Sequence, residues 1–187
     1  MQLRKQSLYF MSIMSAIIFF VSACSPLSSN DVALTNTFES NAFALNYPDE
    51  WQYQIPQVNM LFLASPEILA QQAGATVTLQ RSIALSSSAN TLSAALNSYL
   101  ERGPLRSDRN WERVGEIESV EIDTYEAVLA VVEGAEEVGT LPMRSEIYVL
   151  QANSGFYFIF TLTAPIDQWD TLTSIFDAMK NSVDIRE

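Results

Sequence analysis

The segment QANSGFYFIFTLTAP, residues 151–165, contains a turn, a strand and the start of a helix in one short run. Asn153-Ser154-Gly155 is typical of a tight hairpin turn. Large apolar side chains then occupy every second position, as they do on the inner face of a strand; they are Phe156, Phe158, Phe160 and Leu162. Pro165 is well placed to begin a helix, because its fixed φ suits the first helical turn.

The residues before this turn predict more adjacent strands. Trp111 to Ile122 alternates charged residues with apolar ones, and Tyr125 to Glu133 is a dense apolar run. Gly134 to Gly139 supplies a turn, and one face of the next strand follows it. That face consists of Leu141, Met143, Ser145, Ile147 and Val149. The second half of the chain is therefore predicted to form a meander of four or five antiparallel strands.

Two segments have the spacing of amphipathic helices instead. The first is capped by Asn90 or Thr91 and ends at Gly103 and Pro104. Its apolar stripe is Leu92, Ala95, Leu96, Tyr99 and Leu100. The second follows Pro165 towards the C-terminus with Ile166, Trp169, Leu172, Ile175, Phe176, Met179 and Val183. Neither helix can bury its stripe alone, so both must pack on the sheet, which predicts the α+β class.

The first half of the domain predicts further strands and one short helix. A single half-buried strand is expected over Thr37–Tyr47, followed by turn residues from Pro48. The other expected elements are strands over Trp51–Gln57, Val58–Ser65 and Ala75–Ser86, and a helix over Pro66–Gln72 closed by Gly74.

The N-terminus carries the pattern of a secretory signal. Arg4 and Lys5 precede the apolar run of residues 8–21, which is short for a membrane-spanning helix. Val21-Ser22-Ala23-Cys24 resembles the bacterial lipoprotein box, and Cys24 is the only cysteine. The resemblance implies cleavage before Cys24 and lipidation of its sulfur. The alternatives are an ordinary secretory signal beside a chance cysteine and an uncleaved signal anchor.

The predicted organisation is a signal peptide over residues 1–23, a lipidated Cys24 with a flexible tether over residues 24–36, and one domain over residues 37–187. Several acyl chains on one cysteine anchor a protein durably, whereas a single chain does so only marginally. The expected location is the extracytoplasmic side of a cell membrane or outer membrane.

The charge balance excludes one class of partner. All 22 acidic residues follow Cys24, with eight of the ten basic residues, which leaves the mature chain at −14. Such a surface is repelled by nucleic acid and by anionic headgroups. Nucleic-acid binding is not expected, and lipid rather than charge must hold the protein at a membrane.

The residue types also argue against catalysis and cofactors. The chain has no histidine, and the only lysine after the signal is Lys180. A nucleophile such as Ser86, Ser87 or Ser88 would therefore lack the usual base. No phosphate-binding glycine loop occurs. We predict no catalytic residue, no metal site and no cofactor.

Two groups of residues have both a binding and a structural interpretation. Ten carboxylates between Asp108 and Glu137 could bind calcium, but they lack the spacing of a calcium loop, and strand alternation places many on a solvated face. Tyr47, Pro48 and Trp51 could line a ligand site, but a core turn is the expected role. Tyr157 and Ile159 would form a binding patch only if no second helix layer covered them.

The stretch AFALNYPDEWQ, residues 42–52, together with residues 151–165 and the final helix, resembles the PsbP-like family over roughly residues 37–185. The resemblance implies an αβα sandwich around a central antiparallel sheet. Bacterial members are often lipoproteins, in agreement with Cys24. The metal-binding and photosystem-binding residues of the plant proteins have no counterpart here.

These observations predict a lipid-anchored, extracytoplasmic binding or assembly module without enzymatic activity. Its partner would be a protein or a small apolar ligand, and the membrane would be contacted through lipid on Cys24. The alternatives are a photosystem II-associated PsbP-like accessory protein and a hydrolase that uses carboxylates alone.

Overall fold

A computed structural model describes residues 32–82, 91–107, 109–135 and 140–186. The predicted signal peptide, Cys24, Ser86–Ser88, Asp108, Glu136 and Glu137 lie outside these ranges. The strands are β1 (Asn36–Glu39), β2 (Phe43–Tyr47), β3 (Gln52–Gln57), β4 (Met60–Ala64), β5 (Thr76–Ser82), β6 (Asn110–Ile122), β7 (Tyr125–Ala135), β8 (Met143–Gln151), β9 (Tyr157–Pro165) and β10 (Asp184–Ile185). The helices are α1 (Pro66–Leu69), α2 (Leu92–Arg102) and α3 (Trp169–Asn181), with a 3-10 turn over Ile166–Gln168.

Seven strands form one antiparallel sheet in the order β3-β4-β5-β9-β8-β7-β6. The predicted meander is present, because β6, β7, β8 and β9 are neighbours in sequence and in space. β9 lies between β5 and β8, and both of its faces are buried. Its dense aromatic sequence therefore suits the middle of the sheet.

A second layer covers one face of this sheet. It consists of α3 and a small antiparallel sheet in the order β1-β2-β10. Phe43 of β2 packs edge-on against Phe158 of β9, with ring centroids 6.4 Å apart. Phe176 and Met179 of α3 are buried in the same core. This face uses the predicted inner residues Phe158, Phe160 and Leu162.

Helix α2 covers part of the opposite face. Thr91 caps it, because the Ala94 N–H donates to Thr91 Oγ1 at 3.1 Å. The buried side chains of α2, Ala95, Leu96 and Leu100, pack against β7, β8 and β9. Tyr157 and Ile159 belong to this second core and are 3% and 1% exposed. The helix layer therefore covers them, and they do not form an exposed binding patch. The result is the predicted αβα sandwich.

The single strand predicted over Thr37–Tyr47 is wrong, because this segment forms two strands. Ser40 lies between β1 and β2, and its Oγ accepts hydrogen bonds from the N–H groups of Ala42 and Phe43 at 3.2 and 3.1 Å. A serine side chain that binds nearby N–H groups gives the backbone an alternative to a strand ladder. The large apolar residues also change phase across this turn, from Phe38 to Phe43 and Leu45, and the single-strand prediction overlooked that change.

The predicted helix that included Val183 is also wrong at its end. α3 stops at Asn181, and Val183 is buried in the core from an extended segment. Ile185 of β10 pairs with Phe43 of β2, which makes the small sheet three-stranded. Over so few residues, helical and strand spacing place apolar side chains alike, so the local pattern does not reveal that the helix ends before Val183.

Other boundaries differ by a few residues. Val58 and Asn59 form the turn before β4, with Asn59 at a φ of 64°, so that strand begins at Met60. β7 continues through Gly134 into the predicted turn. β1 begins at Asn36, and Leu34 packs against the core. Within the described ranges, none of the helices is long and apolar enough to cross a bilayer.

Candidate functional site

The Tyr-Pro-Trp turn belongs to the hydrophobic core. Tyr47 is 7% exposed and Trp51 is 6% exposed. The Pro48 carbonyl accepts a hydrogen bond from the Trp51 N–H at 3.2 Å, which closes the turn. The structural interpretation of Tyr47, Pro48 and Trp51 is therefore correct, and a ligand site must lie elsewhere.

The acidic stretch is spread along exposed strand positions. Glu112, Glu116, Glu118 and Glu121 of β6 are all exposed. In the described part of the chain, no three acidic side chains converge in a way that could hold a cation. This stretch accounts for part of the negative surface of the molecule.

One pair of carboxylates bears on the hydrolase alternative. Glu112 of β6 and Glu133 of β7 lie opposite each other in the sheet and line a cavity of about 430 Å³ with Arg109. Glu133 Oε1 also contacts Arg144 Nη1 at 3.5 Å. A carboxylic general acid is usually kept in an apolar environment, and Glu133 has an ion pair instead.

A second polar cluster connects α3 to the sheet. The Tyr148 hydroxyl donates a hydrogen bond to Glu146 Oε2 at 2.6 Å. Burial, followed by this bond to Glu146, raises the pKa of the Tyr148 phenol well above its ordinary value. The Arg144 guanidinium lies 4.9 Å from the Trp169 ring centroid, and the Lys180 ammonium lies 5.7 Å from that of Tyr148. Stacked cations and a shared carboxylate explain this cluster as a structural contact.

The sheet face beside α2 carries the candidate site. Where α2 ends, the face formed by β5, β9 and β8 carries hydroxyl side chains in place of large apolar ones. A cavity of about 320 Å³ lies there, which we call the cationic pocket. It is lined, among others, by Tyr99, Arg102, Arg106, Arg109, Ser145 and Thr161.

An adjoining cavity of about 610 Å³ has mainly apolar walls, and we call it the apolar pocket. It is lined, among others, by Phe62, Ile68, Ala73, Leu141 and Met143. The two pockets share Thr76, Trp111 and Thr163, so they form one two-part groove. None of the described residues that line either pocket is acidic, although the chain has 22 acidic residues.

Gly134 positions the indole that lies between the two pockets. Trp111 of β6 is opposite Gly134 of β7. A Cβ atom on Gly134 would lie 2.6 Å from Trp111 Cα and 2.7 Å from Trp111 Cγ, and would also collide with the Asn110 carbonyl. The missing side chain therefore lets the indole lie directly on the neighbouring strand.

The groove contains an enclosed donor without a protein partner. Trp111 Nε1 is enclosed and has no hydrogen-bond partner within the described ranges. The hydroxyl groups beside it are paired, because Ser145 Oγ and Thr163 Oγ1 are hydrogen-bonded to each other at 2.7 Å. Burial raises the pKa of the Tyr99 phenol, and a hydrogen bond with the Thr161 hydroxyl offsets part of that rise.

The sequence interpretation did not identify this groove. Its residues come from β4, α1 and its following loop, β5, α2, β6, β8, β9 and the loops before β6 and β8, so no local motif connects them. One indication was available: Arg102, Arg106, Arg109 and Arg113 account for half of the eight basic residues after Cys24. The predicted outer residues of β9 end at Ile159, whereas the groove uses the next outer positions, Thr161 and Thr163.

The architecture defines the class of fold, which is the α+β fold that PsbP and Mog1 also have. Cyanobacterial PsbP from Synechocystis sp. PCC 6803 is similar with a TM-score of 0.54 and 16% identity, covering 86% of this chain and 99% of that one. The Ran-binding protein Mog1p of Saccharomyces cerevisiae gives a TM-score of 0.55 and 10% identity, covering 80% and 94%.

A protein from Bacteroides thetaiotaomicron gives a TM-score of 0.52 at 14% identity over 83% of this chain, and the chain spans half the length of that protein. No protein-family profile and no curated protein sequence matches the chain. The resemblance to PsbP-like domains expected from residues 42–52 and 151–165 is thus confirmed at the level of fold. Fold alone does not determine activity.

Proposed function

We propose that this protein is a non-enzymatic binding module that lipid on Cys24 anchors at the extracytoplasmic side of a membrane. The observation that carries the proposal is the two-part groove. It combines cationic side chains, hydroxyl groups and an apolar wall, and none of its described lining residues is a carboxylate or a histidine. Such a lining can bind and orient a ligand, but it lacks histidine and carboxylate groups, which act most often as general acids and bases.

The anchoring part of the proposal rests on the sequence. A basic start, an apolar run and the Val21-Ser22-Ala23-Cys24 box precede a mature chain with a charge of −14. Anionic headgroups repel such a chain, so acyl chains are the attachment that this sequence can provide. The domain would face the solvent through the tether that precedes β1.

The two alternatives receive less support. A carboxylate-only hydrolase would use Glu112 and Glu133, but Glu133 contacts Arg144 and both lie outside the groove. A photosystem role is not favoured either, because the cyanobacterial and yeast neighbours align about equally well, with TM-scores of 0.54 and 0.55. The yeast neighbour is a Ran-binding protein, so a protein partner fits this fold as well as a small ligand does.

The anchor is tested by Cys24→Ser in the native organism. We expect the natural chain in the membrane fraction, with an intact mass that shows loss of residues 1–23 and added acyl chains. Cys24→Ser should retain the leader or appear in the soluble fraction, because the sulfur that accepts the lipid is gone. Ser25→Ala is the matched control and should behave as the natural chain. An unlipidated natural chain, or unchanged processing of Cys24→Ser, would contradict the proposal.

A further inference from the structure

We infer that the two-part groove binds a single-chain amphiphile whose carboxylate head occupies the cationic pocket and whose hydrocarbon tail occupies the apolar pocket. This inference rests on the proposed function, because it names the ligand class of the same groove. Three observations carry it: the local reversal of charge, the enclosed indole N–H without a partner, and the junction of a polar and an apolar cavity.

The charge in the groove is opposite to that of the molecule. Arg102, Arg106 and Arg109 line the cationic pocket of a mature chain with a charge of −14. Of these three, Arg102 already donates from Nε to the Ser98 carbonyl at 2.9 Å and so stabilises the end of α2. Arg109 forms no ion pair in the part of the chain that the structure describes. An anion is repelled by most of this surface and attracted here, and a guanidinium can bind a carboxylate through two parallel hydrogen bonds.

One enclosed donor needs an acceptor. An indole N–H can only donate a hydrogen bond. Trp111 Nε1 is enclosed without a partner in the described ranges, and Trp111 lines the cationic pocket. Leaving such a donor unpaired is unfavourable. A carboxylate oxygen accepts several hydrogen bonds and would satisfy this N–H group.

The apolar pocket accommodates the rest of the ligand. Its volume of about 610 Å³ falls within the range of small-molecule sites, about 300–1,000 Å³. Phe62, Leu141 and Met143 contribute apolar surface, and each methylene transferred there from water favours binding. Because Trp111 lies at the junction of both pockets, the head and the tail would lie on either side of its indole.

The experiment uses the full lipidated chain in phosphatidylcholine vesicles and a long-chain carboxylate with a diazirine near the end of its tail. Photolysis should label Phe62, Leu141 or Met143, located by mass spectrometry of the peptides. Dodecanoate should compete with the label. Acetate and dodecan-1-ol should compete at least about tenfold more weakly, because each supplies only half of the recognised chemistry.

Variants separate this site from partitioning into the vesicle. Arg109→Gln should raise the half-saturating probe concentration about fivefold, because it removes a charge-assisted hydrogen bond. Arg113→Gln, which changes the next arginine outside both pockets, should not. Leu141→Asp should abolish labelling, whereas Val114→Asp should retain it, although both parent residues are 41% exposed.

Labelling spread evenly over the surface, or equal effects of Arg109→Gln and Arg113→Gln, would overturn the inference. Equal competition by dodecan-1-ol would also overturn it, because the head would then be irrelevant. If dodecyl phosphate competes tenfold more strongly than dodecanoate, the assignment of a carboxylate as the head group is wrong. If membrane attachment still depends on Cys24 in these cases, the inference about the ligand class is refuted, but the proposal of a lipid-anchored module is not.

Discussion

Single residues position the groove and the polar cluster on the two faces of the sheet. On the α2 face, Gly134 lets Trp111 lie against β7 and reach both pockets. On the α3 face, the Tyr148 hydroxyl donates a hydrogen bond to Glu146, which also contacts Arg144. The Lys180 ammonium lies over the Tyr148 ring. Trp111 Nε1 has no partner within the described ranges, whereas the Tyr148 hydroxyl has one. This contrast is why we assign ligand binding to the first face and stabilisation to the second.

Tyr148 predicts a loss of stability at alkaline pH. Burial, then the bond to Glu146, raises the pKa of Tyr148 above its ordinary value of 10.0. Above pH 10 the unfolded chain loses this proton while the folded chain keeps it, so unfolding is favoured as the pH rises. Below pH 10 the contribution of Tyr148 to stability is complete.

The test compares Tyr148→Phe with the natural chain in urea at pH 7 and pH 11. We expect a deficit of about 1 kcal/mol at pH 7, from the lost hydrogen bond, and a smaller or reversed deficit at pH 11. Ile147→Val is the control, because it loses about 1 kcal/mol of packing and no phenol. A deficit for Tyr148→Phe that stays constant between the two pH values would refute this explanation.

At the scale of elements, the short strand β10 has more influence than its length suggests. It follows α3 directly and pairs with β2, so it joins the C-terminus to the small sheet. The Arg186 N–H donates to the Ala42 carbonyl at 2.9 Å, and its guanidinium contacts Glu39 at 3.4 Å. Val183 and Ile185 are buried on either side of the exposed Asp184. β10 therefore completes the layer that covers the aromatic core.

Ile185→Ala should destabilise the domain by about 2 kcal/mol or more, because a buried isoleucine loses its packing and leaves a cavity. Ile185 is 6% exposed, whereas Ile166, which precedes α3, is 39% exposed. Ile166→Ala is therefore the matched control and should change stability by less than about 0.5 kcal/mol. Urea denaturation of both variants measures the difference. Equal effects would mean that β10 is frayed rather than packed in solution.

At the scale of the whole molecule, the described residues from Val32 onward form one compact unit. Its core has two parts, one on each face of the seven-stranded sheet. β1 contributes Phe38, whose ring lies 5.8 Å from that of Phe43 and 5.4 Å from that of Tyr53. The domain therefore needs the residues before Ser40, although the sequence alone places them beside a predicted tether.

A fragment over residues 32–187 should be soluble and should unfold in one cooperative transition in urea. A fragment over residues 40–187 should be less stable by more than about 2 kcal/mol, because it loses β1 and exposes the partners of Phe38. Circular dichroism at increasing urea concentration compares the two fragments. If they are equally stable, β1 is not part of the cooperative unit. If the longer fragment does not fold cooperatively, the domain boundary is wrong.

The sequence by itself determined the class of the fold and most of its elements. Alternation in Phe158, Phe160 and Leu162, the apolar stripe of α2 and the Asn153-Ser154-Gly155 turn are local patterns, because side-chain direction repeats every two residues in a strand and every 3.6 in a helix. Those periods predict which face is buried. They also predicted a meander of four or five strands and two amphipathic helices that pack on the sheet.

Only the tertiary structure decided where the groove lies. Thr76, Trp111 and Thr163 are far apart in the chain and meet because β5, β9, β8, β7 and β6 lie side by side in that order. The return of β10 to β2 was likewise decided by pairing between distant segments. Hydrogen bonds and packing between such segments leave no period in the sequence, so local patterns predict the layers of this protein but not the site between them.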